Sequence, residues 1–326
     1  MKKQIFTSAL FFIFLAVLTG CSVDNKTNQL IINSNNKNPN YAISGEMAGS
    51  GATSQKNSID AWKIGYGQIY PNISVAYDPK GSGGGRKDII NGAAVFSATD
   101  KKLTDLEMIQ AKTVCGQKGV IQIPTYISKI AVIFKLDNIA SLNLDSQTLV
   151  KIFSGVITKW SDPEIVSQNL KLDLPDNNIT VVRRTDDSGM TDTFTSFLAK
   201  TNSSIWKWGE TSSWPTAIAS LSQGAQGQAG VANVVGLGNS TIGYVDSGQI
   251  GQLGVVNLLD TIEQTSYMAA CTHYNDKPTA QFVKSWLEYV VSLDGQILSH
   301  NISNSIILND NARQLANQEI AKITFE

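Results

Sequence analysis

The chain has 326 residues, enough for one large or two medium-sized domains, and its 42% hydrophobic and 16% charged residues are typical of a globular rather than a disordered protein. Its 26 Lys and Arg residues against 27 Asp and Glu residues give a formal net charge of −1. Because a nucleic-acid backbone is held by a surplus of basic side chains, this balance argues against nucleic acid as a partner.

The first 20 residues have the pattern of a targeting segment. Lys2 and Lys3 precede an apolar stretch over residues 5–18, and the sequence LTGC ends this stretch at Cys21. The stretch is short for a membrane span, and its end resembles the lipobox at which bacterial lipoproteins are cleaved and lipidated. We therefore predict a signal peptide over residues 1–20, lipidation of Cys21 and a flexible Asn-rich tether over residues 21–41. An ordinary signal peptide with an incidental cysteine is the alternative.

From about residue 42 onward, short apolar strands alternate with amphipathic helices. The spacing of apolar residues predicts helices over residues 58–70, 88–93, 147–153, 191–199 and 281–292. Strands are predicted over residues 73–77, 94–96, 130–134 and 179–182. Such an alternation predicts an α/β protein.

Two cysteines and two histidines lie in this region. Export would place Cys115 and Cys271 in an oxidising compartment, where they could form a disulfide, and burial as free thiols is the alternative. His273 and His300, the only two histidines, form no cluster with metal-ligand spacing, and no sequence pattern indicates that either belongs to a Ser-His triad. The sequence therefore predicts neither a metal site nor a cofactor, and it offers no catalytic residue.

Three segments share one design, in which a strand leads through a loop rich in Gly, Ser or Thr into a helix. They are residues 49–54 (GSGATS), 80–86 (KGSGGGR) and 183–191 (RRTDDSGMT). A helix start presents unpaired N–H groups and a partial positive charge, and glycine allows a ligand to approach the backbone closely. Three of the four arginines lie here, namely Arg86, Arg183 and Arg184, and a guanidinium suits bidentate contact with an oxyanion. Together the loops predict an oxyanion site, although each loop alone is more typical of a plain Gly/Ser turn.

Further motifs accompany these loops in a fixed order. Residues 49–53 (GSGAT), 81–85 (GSGGG) and 96–100 (FSATD) resemble the patterns G-x-G-A-T, G-S-S/G-G-G and F-x-A-S-D. Residues 152–160 (IFSGVITKW) and 242–245 (IGYV) match I-F-x-G-x-I-x-x-W and I-G-Y-V, and residues 182–189 (VRRTDDSG) resemble V-R-x-D-x-S-G-T. This set resembles the phosphate-binding proteins of bacterial Pst phosphate ABC importers, from about residue 45 to the helix around Trp286.

The resemblance implies an α/β periplasmic-binding-protein fold with two lobes, two hinge crossovers and a central ligand cleft. Lobe one would comprise residues 42–125 and 263–326, and lobe two would comprise residues 126–262.

The resemblance also implies the phosphate ligands. By motif position they are Thr53, Ser54, Ser82, Asp100, Arg184, Ser188, Gly189 and Met190, with Asp186 orienting Arg184. Two positions depart from the family. Ser54 replaces a frequent aromatic residue, and Met190 replaces the usual Thr, so a hydroxyl contact there would require Thr191 to shift into place.

Asp100 is expected to select the anion. A buried carboxylate accepts the proton that phosphate still carries near neutral pH, whereas it would face an oxygen without a proton in sulfate. The alternative role for Asp100 is the N-cap of a helix that begins near residue 101. Arg183 is expected to play the plainer role of a surface ion pair with Asp186 or Asp187.

These expectations together describe an exported lipoprotein that is not an enzyme. It would bind inorganic phosphate outside the cytoplasmic membrane, as a monomer anchored in the membrane through Cys21, and deliver it to the membrane permease of an ABC importer. Its location would be the periplasm or the cell surface. A lipoprotein adhesin or scaffold and a phosphatase-like enzyme are the alternatives; the first predicts no tight anion binding and the second predicts turnover of phosphoesters.

Overall fold

A computed structural model describes residues 44–325, and over this range the protein is a mixed α/β structure. The strands are β1 (Gly45–Gly51), β2 (Ile73–Asp78), β3 (Phe96–Thr99), β4 (Val120–Lys135), β5 (Ser141–Leu144), β6 (Thr180–Arg184), β7 (Ser222–Ala225), β8 (Thr241–Asp246), β9 (Gly254–Leu258), β10 (Glu263–Cys271), β11 (His273–Tyr274) and β12 (Thr324–Phe325). The α-helices are α1 (Lys56–Ile69), α2 (Ser82–Asn91), α3 (Asp105–Cys115), α4 (Ser146–Phe153), α5 (Pro163–Ser167), α6 (Gly189–Thr201), α7 (Gly227–Leu237), α8 (Lys277–Val291), α9 (Leu293–Ser303) and α10 (Asp310–Ile320). The predicted signal peptide, the tether and Cys21 lie outside the described residues.

Most predicted helices form where apolar residues recur with helical spacing. In α1, Ile59, Trp62 and Tyr66 lie on one face and are fully buried. The prediction for α2 was wrong at its start. This helix begins at Ser82 rather than near residue 88, because Gly81 adopts a φ of 96° and turns the chain into the helix across three glycines.

The main sheet has ten strands in the order β2-β1-β3-β10-β4-β8-β6-β7, and β9 joins both β4 and β5. The long strand β4 connects its two halves. Residues 120–129 of β4 pair with β10, and residues 130–135 pair with β8. The chain crosses back to the first half of the sheet at residue 262, just before β10. This second crossover lies beside the first, because Ile130 N–H donates to the Ile262 carbonyl at 2.8 Å. Two crossovers therefore lie side by side in the middle of the sheet.

Each half of the sheet has its own hydrophobic core. The first core contains Trp62, Phe96, Tyr126 and Trp286, and draws its residues from 47–126 and 268–323. The second core contains residues from 130–262, including Phe134, Trp160 and Phe194. A smaller cluster of mainly Val side chains packs α7 against the sheet in this second half. We refer to the parts built around the first and second cores as lobe one and lobe two; the predicted boundaries at residues 125/126 and 262/263 stay a prediction.

A disulfide joins Cys115 at the end of α3 to Cys271 at the end of β10. The structure thus decides between the two alternatives that the sequence left open. Among the helices of residues 44–325, none combines the length and the hydropathy that a bilayer-spanning helix requires.

Candidate functional site

The three Gly-rich loops meet between the two lobes. Gly81 N–H donates to the Gly51 carbonyl at 2.8 Å, which joins the first and second loops. Gly83 N–H donates to the Asp187 carbonyl at 3.2 Å, which joins the second loop to the third across the lobes. A Cβ added to Gly81 would lie 2.6 Å from Asp186 Oδ2, so only glycine allows this approach. The loops that the sequence singled out separately therefore surround one point.

Helix N-termini converge at the same place. A short 3-10 helix begins at Thr53 and runs into α1, α2 begins at Ser82, and α6 begins at Gly189. The partial positive charge of each helix start favours an anion, and it needs no net positive charge on the protein.

A fourth helix start was missed by the sequence analysis. Helix α7 begins at Gly227, whose N–H donates to Asp186 Oδ1 at 3.0 Å. Its next residue, Gln228, donates its N–H across the lobes to Thr53 Oγ1 at 3.3 Å. The segment 224–230 (GAQGQAG) has the same strand, glycine-rich loop and helix design as the others, and this pattern could have revealed it.

Asp100 is buried beside this convergence, only 7% exposed. Its carboxylate accepts hydrogen bonds from Ser54 Oγ at Oδ2 and from Ser266 Oγ at Oδ1, the latter at 2.8 Å. Its backbone N–H donates to Ser82 Oγ at 3.1 Å. Burial raises the pKa of Asp100, while the hydroxyl donors and the Arg184 charge act in the opposite direction. The helix-cap alternative for Asp100 is wrong, because Thr104 caps α3 with a capping box that includes Glu107.

Arg184 ends β6 and is 2% exposed. It forms a bidentate ion pair with Asp186, in which Nε donates to Oδ1 at 2.8 Å and Nη2 donates to Oδ2. Burial raises the pKa of Asp186, but the Arg184 guanidinium and the Gly227 N–H outweigh burial and hold it below its usual range. Asp186 thus fixes the guanidinium by one edge and leaves Nη1 outside the pair.

The two other loop arginines have different surroundings. Arg183 donates from Nε to Ser222 Oγ at 3.1 Å and from Nη1 to the Arg184 carbonyl at 3.2 Å. The expected surface ion pair of Arg183 with Asp186 or Asp187 is therefore wrong. Arg86 is buried and pairs with Glu107 of α3 at 3.0 Å, with its Nη2 lying 3.6 Å from Asp187 Oδ1.

At the first two positions of α6, Gly189 and Met190, the available donors are backbone N–H groups rather than side chains. Ser188 caps the helix, since its Oγ accepts from Thr191 N–H at 3.2 Å. The Met190 side chain is fully buried in the second core, and the Thr191 hydroxyl is hydrogen-bonded to Tyr244 Oη at 2.7 Å. Thr191 therefore does not replace the missing hydroxyl. The N–H groups of Gly189 and Met190, at the first two helical positions, have no intrahelical acceptor.

An ion pair also connects the lobes beside the site. Lys101 Nζ, next to Asp100, lies 2.6 Å from Asp192 Oδ1 of α6 and 3.3 Å from Glu210 Oε1. Gly189 approaches so closely that an added Cβ would lie 2.7 Å from the Asp100 Cβ. The structure therefore has the two lobes closed on each other.

Comparisons with known proteins identify a family for the chain. The family model of the PBP superfamily domain matches residues 36–294. The phosphate-binding protein PstS of Xylella fastidiosa is 34% identical over 240 residues, which cover 70% of this chain and 62% of that protein. Phosphate-binding protein PstS3 of Mycobacterium bovis is 32% identical over 186 residues, which cover 57% of this chain and 50% of that protein. The match thus spans about half to three-fifths of the length of these relatives.

Solved structures share the fold at low sequence identity. A phosphate-binding protein from Stenotrophomonas maltophilia has a TM-score of 0.68 and 18% identity, with 84% of this chain and 93% of that chain covered. A high-affinity periplasmic phosphate-binding protein, PfluDING, solved with bound phosphate, has a TM-score of 0.69 and 16% identity, with 84% and 93% covered. The α/β architecture with two lobes and two crossovers is confirmed. The chain belongs to the PBP superfamily and has the periplasmic-binding-protein fold.

Proposed function

We propose that this protein binds one inorganic phosphate between its two lobes and delivers it to the membrane permease of an ABC importer. The observation that carries the proposal is the meeting of buried Arg184 and buried Asp100 at a group of helix N-termini. Relatives that are 34% and 32% identical to the chain are named as phosphate-binding proteins, which supports the proposal. We place the protein outside the cytoplasmic membrane as a monomeric lipoprotein anchored through Cys21.

The ligand contacts follow from the arrangement of donors. We assign the hydroxyls of Thr53, Ser82 and Ser188 as donors to phosphate oxygens. The N–H groups at the starts of the 3-10 helix at Thr53, of α2 and of α6 are further donors, and Ser54 and Met190 contribute through their backbone. The Arg184 guanidinium, held by Asp186, supplies the charge-assisted contact. Asp100 is the acceptor for the phosphate proton.

An acceptor inside an anion site has a specific chemical consequence. Near neutral pH phosphate retains at least one proton and can donate a hydrogen bond to Asp100, whereas fully ionised sulfate cannot. Sulfate would therefore leave the buried carboxylate facing an oxygen without a hydrogen, which costs about 1–3 kcal/mol or more. The site is built to prefer phosphate.

We propose binding without catalysis. The relatives are named as binding proteins, and within residues 44–325 no group of three or more His, Cys, Asp or Glu side chains is placed to hold a metal ion. Purified protein should leave model phosphoesters unhydrolysed above background. Steady hydrolysis that survives repurification would favour the enzyme alternative.

The test of the proposed site compares two neighbouring arginines. Arg184→Ala should weaken phosphate binding by about a hundredfold or more, because a charge-assisted contact to the ligand is lost. Arg183→Ala is the matched control and should stay within a few-fold of wild type, since Arg183 bonds Ser222 and backbone instead. Calorimetric titration with phosphate measures both variants. Equal losses in the two variants would show that Arg184 is not the ligand contact.

A further inference from the structure

A serine far from the Gly-rich loops holds the Asp100 carboxylate. Ser266 lies on β10, is fully buried, and donates from Oγ to Asp100 Oδ1 at 2.8 Å. Ser54 Oγ donates to the other oxygen, Oδ2. Each carboxylate oxygen thus receives one hydroxyl donor, and the plane of the carboxylate is fixed from two sides.

We propose that Ser266 is a positioning residue for anion selection, which holds Asp100 in the orientation and charge state of a pure hydrogen-bond acceptor. The inference rests on the proposed function and names a residue on which its specificity depends. Ser266 itself is not assigned a contact with the ligand.

The backbone around Ser266 makes this position special. The register of β10 against β4 shifts between Ser266 and Tyr267. Such an irregularity re-aims a side chain relative to a regular strand. On its other edge β10 pairs with β3 through Tyr267 and Thr99, and Asp100 directly follows Thr99. The irregular strand therefore places the hydroxyl of Ser266 beside the carboxylate.

The charge state of Asp100 depends on its donors. Burial raises the pKa of Asp100, whereas the hydrogen bonds from Ser54 and Ser266 and the Arg184 charge act to lower it. Three further titratable groups interact with Asp100. Tyr77 and Tyr126 have pKa values raised well above 10.0 by burial and stay neutral, while the buried carboxyl of Asp246, with its pKa raised to about 6, adds repulsion near neutral pH.

Loss of the Ser266 hydroxyl should therefore raise the pKa of Asp100 further. A protonated Asp100 can donate a hydrogen bond, so it no longer discriminates against an anion that lacks a proton. The preference for phosphate over sulfate should be present above the pKa of Asp100 and be lost as the pH falls through it. In Ser266→Ala this loss should occur at a higher pH than in wild type.

The experiment measures phosphate and sulfate affinities of the full chain from pH 5 to 8 by calorimetry. In Ser266→Ala the pH at which the phosphate-to-sulfate affinity ratio falls should be about one unit higher than in wild type. A hydroxyl bond to a carboxylate changes the pKa of that carboxylate by about one to two units. The pH profile of Ser266→Cys, whose thiol is a weaker donor of similar size, should lie between those of wild type and Ser266→Ala. This variant replaces Ser266→Ala in the test if the latter folds poorly. The protonation of phosphate itself affects all variants alike, so the shift relative to wild type is the readout.

Ser97→Ala is the matched control. Ser97 is fully buried on β3, the strand between β1 and β10, and its hydroxyl has no hydrogen-bond partner in the described part of the chain. This variant should reproduce the wild-type pH profile.

Several outcomes would overturn the proposal. An unchanged pH profile in Ser266→Ala, or an equal loss of both anions at every pH, would assign Ser266 a packing role only. Failure of the wild type to bind phosphate is a separate result, which rejects the proposed function rather than the role of Ser266.

Discussion

Asp100 combines burial with two serine donors and lies within electrostatic reach of Arg184. In Asp100→Asn the amide can turn its NH₂ toward an oxygen that has no proton, while its oxygen can still accept from phosphate. We expect the preference for phosphate over sulfate to fall by about one to two decades, mainly through tighter sulfate binding. Phosphate and sulfate affinities of both proteins at fixed pH and ionic strength measure this. An unchanged ratio would remove Asp100 as the selecting group.

Asp246, at the end of β8, is a second buried carboxylate near the crossovers. Its Oδ1 accepts from Gly248 N–H at 2.9 Å, and its Oδ2 has no hydrogen-bond partner among residues 44–325. Burial raises its pKa from 3.8 to about 6. The folded protein thus binds this proton more tightly than the unfolded chain, so the free energy of unfolding falls as the pH rises from about 4 to 6.

Asp246→Asn should remove this pH-dependent decrease in the free energy of unfolding. The shift of about 2 pKa units corresponds to about 3 kcal/mol, so the variant should be more stable than wild type by about 1–3 kcal/mol at pH 8. The difference should shrink as the pH falls toward 4 and vanish below 3.8, where the wild-type carboxyl is protonated in both states. Urea unfolding at several pH values measures it, with Asp310→Asn as control because that side chain is 96% exposed. A stability difference that does not vary with pH would contradict this explanation.

At the scale of elements, the start of α6 must lie directly against the strand end that carries Asp100. A Cβ at Gly189 would meet the Asp100 carbonyl carbon at 2.7 Å and Lys101 N at 2.9 Å, so the two backbones would have to move apart. Gly189→Ala should therefore weaken phosphate binding by about tenfold or more, although it removes no donor.

The stability of this variant should change little, since Gly189 lies in a helix and alanine favours helical backbone. Gly67→Ala in α1, where an added Cβ meets nothing within 4 Å, is the control and should bind like wild type. Calorimetry gives the affinities and thermal unfolding the stabilities. Wild-type affinity in Gly189→Ala would mean that binding does not need the closed contact between α6 and Asp100.

Elements with a strong periodic pattern could be predicted, and those defined by distant partners could not. Helix α4 (Ser146–Phe153) closely matches its prediction, because its apolar residues recur at helical spacing. Helix α8 (Lys277–Val291) was predicted for the same reason, but it begins four residues before the predicted start at residue 281. Strand β4 was predicted only from residue 130, whereas it begins at Val120; Pro124 interrupts its earlier half, which β10 stabilises by pairing. This pairing joins residues that are distant in the sequence, so the local pattern of residues does not reveal it.

The same limit applies to the site. The loops around Thr53, Ser82 and Ser188 can be recognised in the sequence by their glycine and hydroxyl residues, and the structure brings them together. Ser266 has no local motif, and its contact with Asp100 spans 166 residues of sequence. Only the order of strands, which puts β10 between β3 and β4, reveals it.

At the scale of the whole molecule, two cores share one sheet, and the proposed ligand site lies where the lobes close. The disulfide between Cys115 and Cys271 ties α3 to β10 within lobe one, so it does not restrain the lobes relative to each other. Across the lobes, the structure instead uses reversible contacts such as the Lys101–Asp192 ion pair. This distribution suits a protein that must open to admit and release its ligand.

The measurement that tests phosphate binding between the lobes most directly is a calorimetric titration of the purified wild-type protein with phosphate and, separately, with sulfate near pH 7.5. We predict one phosphate per chain and a sulfate affinity that is weaker by about a factor of ten or more. Absence of phosphate binding, or equal affinity for the two anions, would contradict a site in which Arg184 binds the anion and Asp100 accepts its proton.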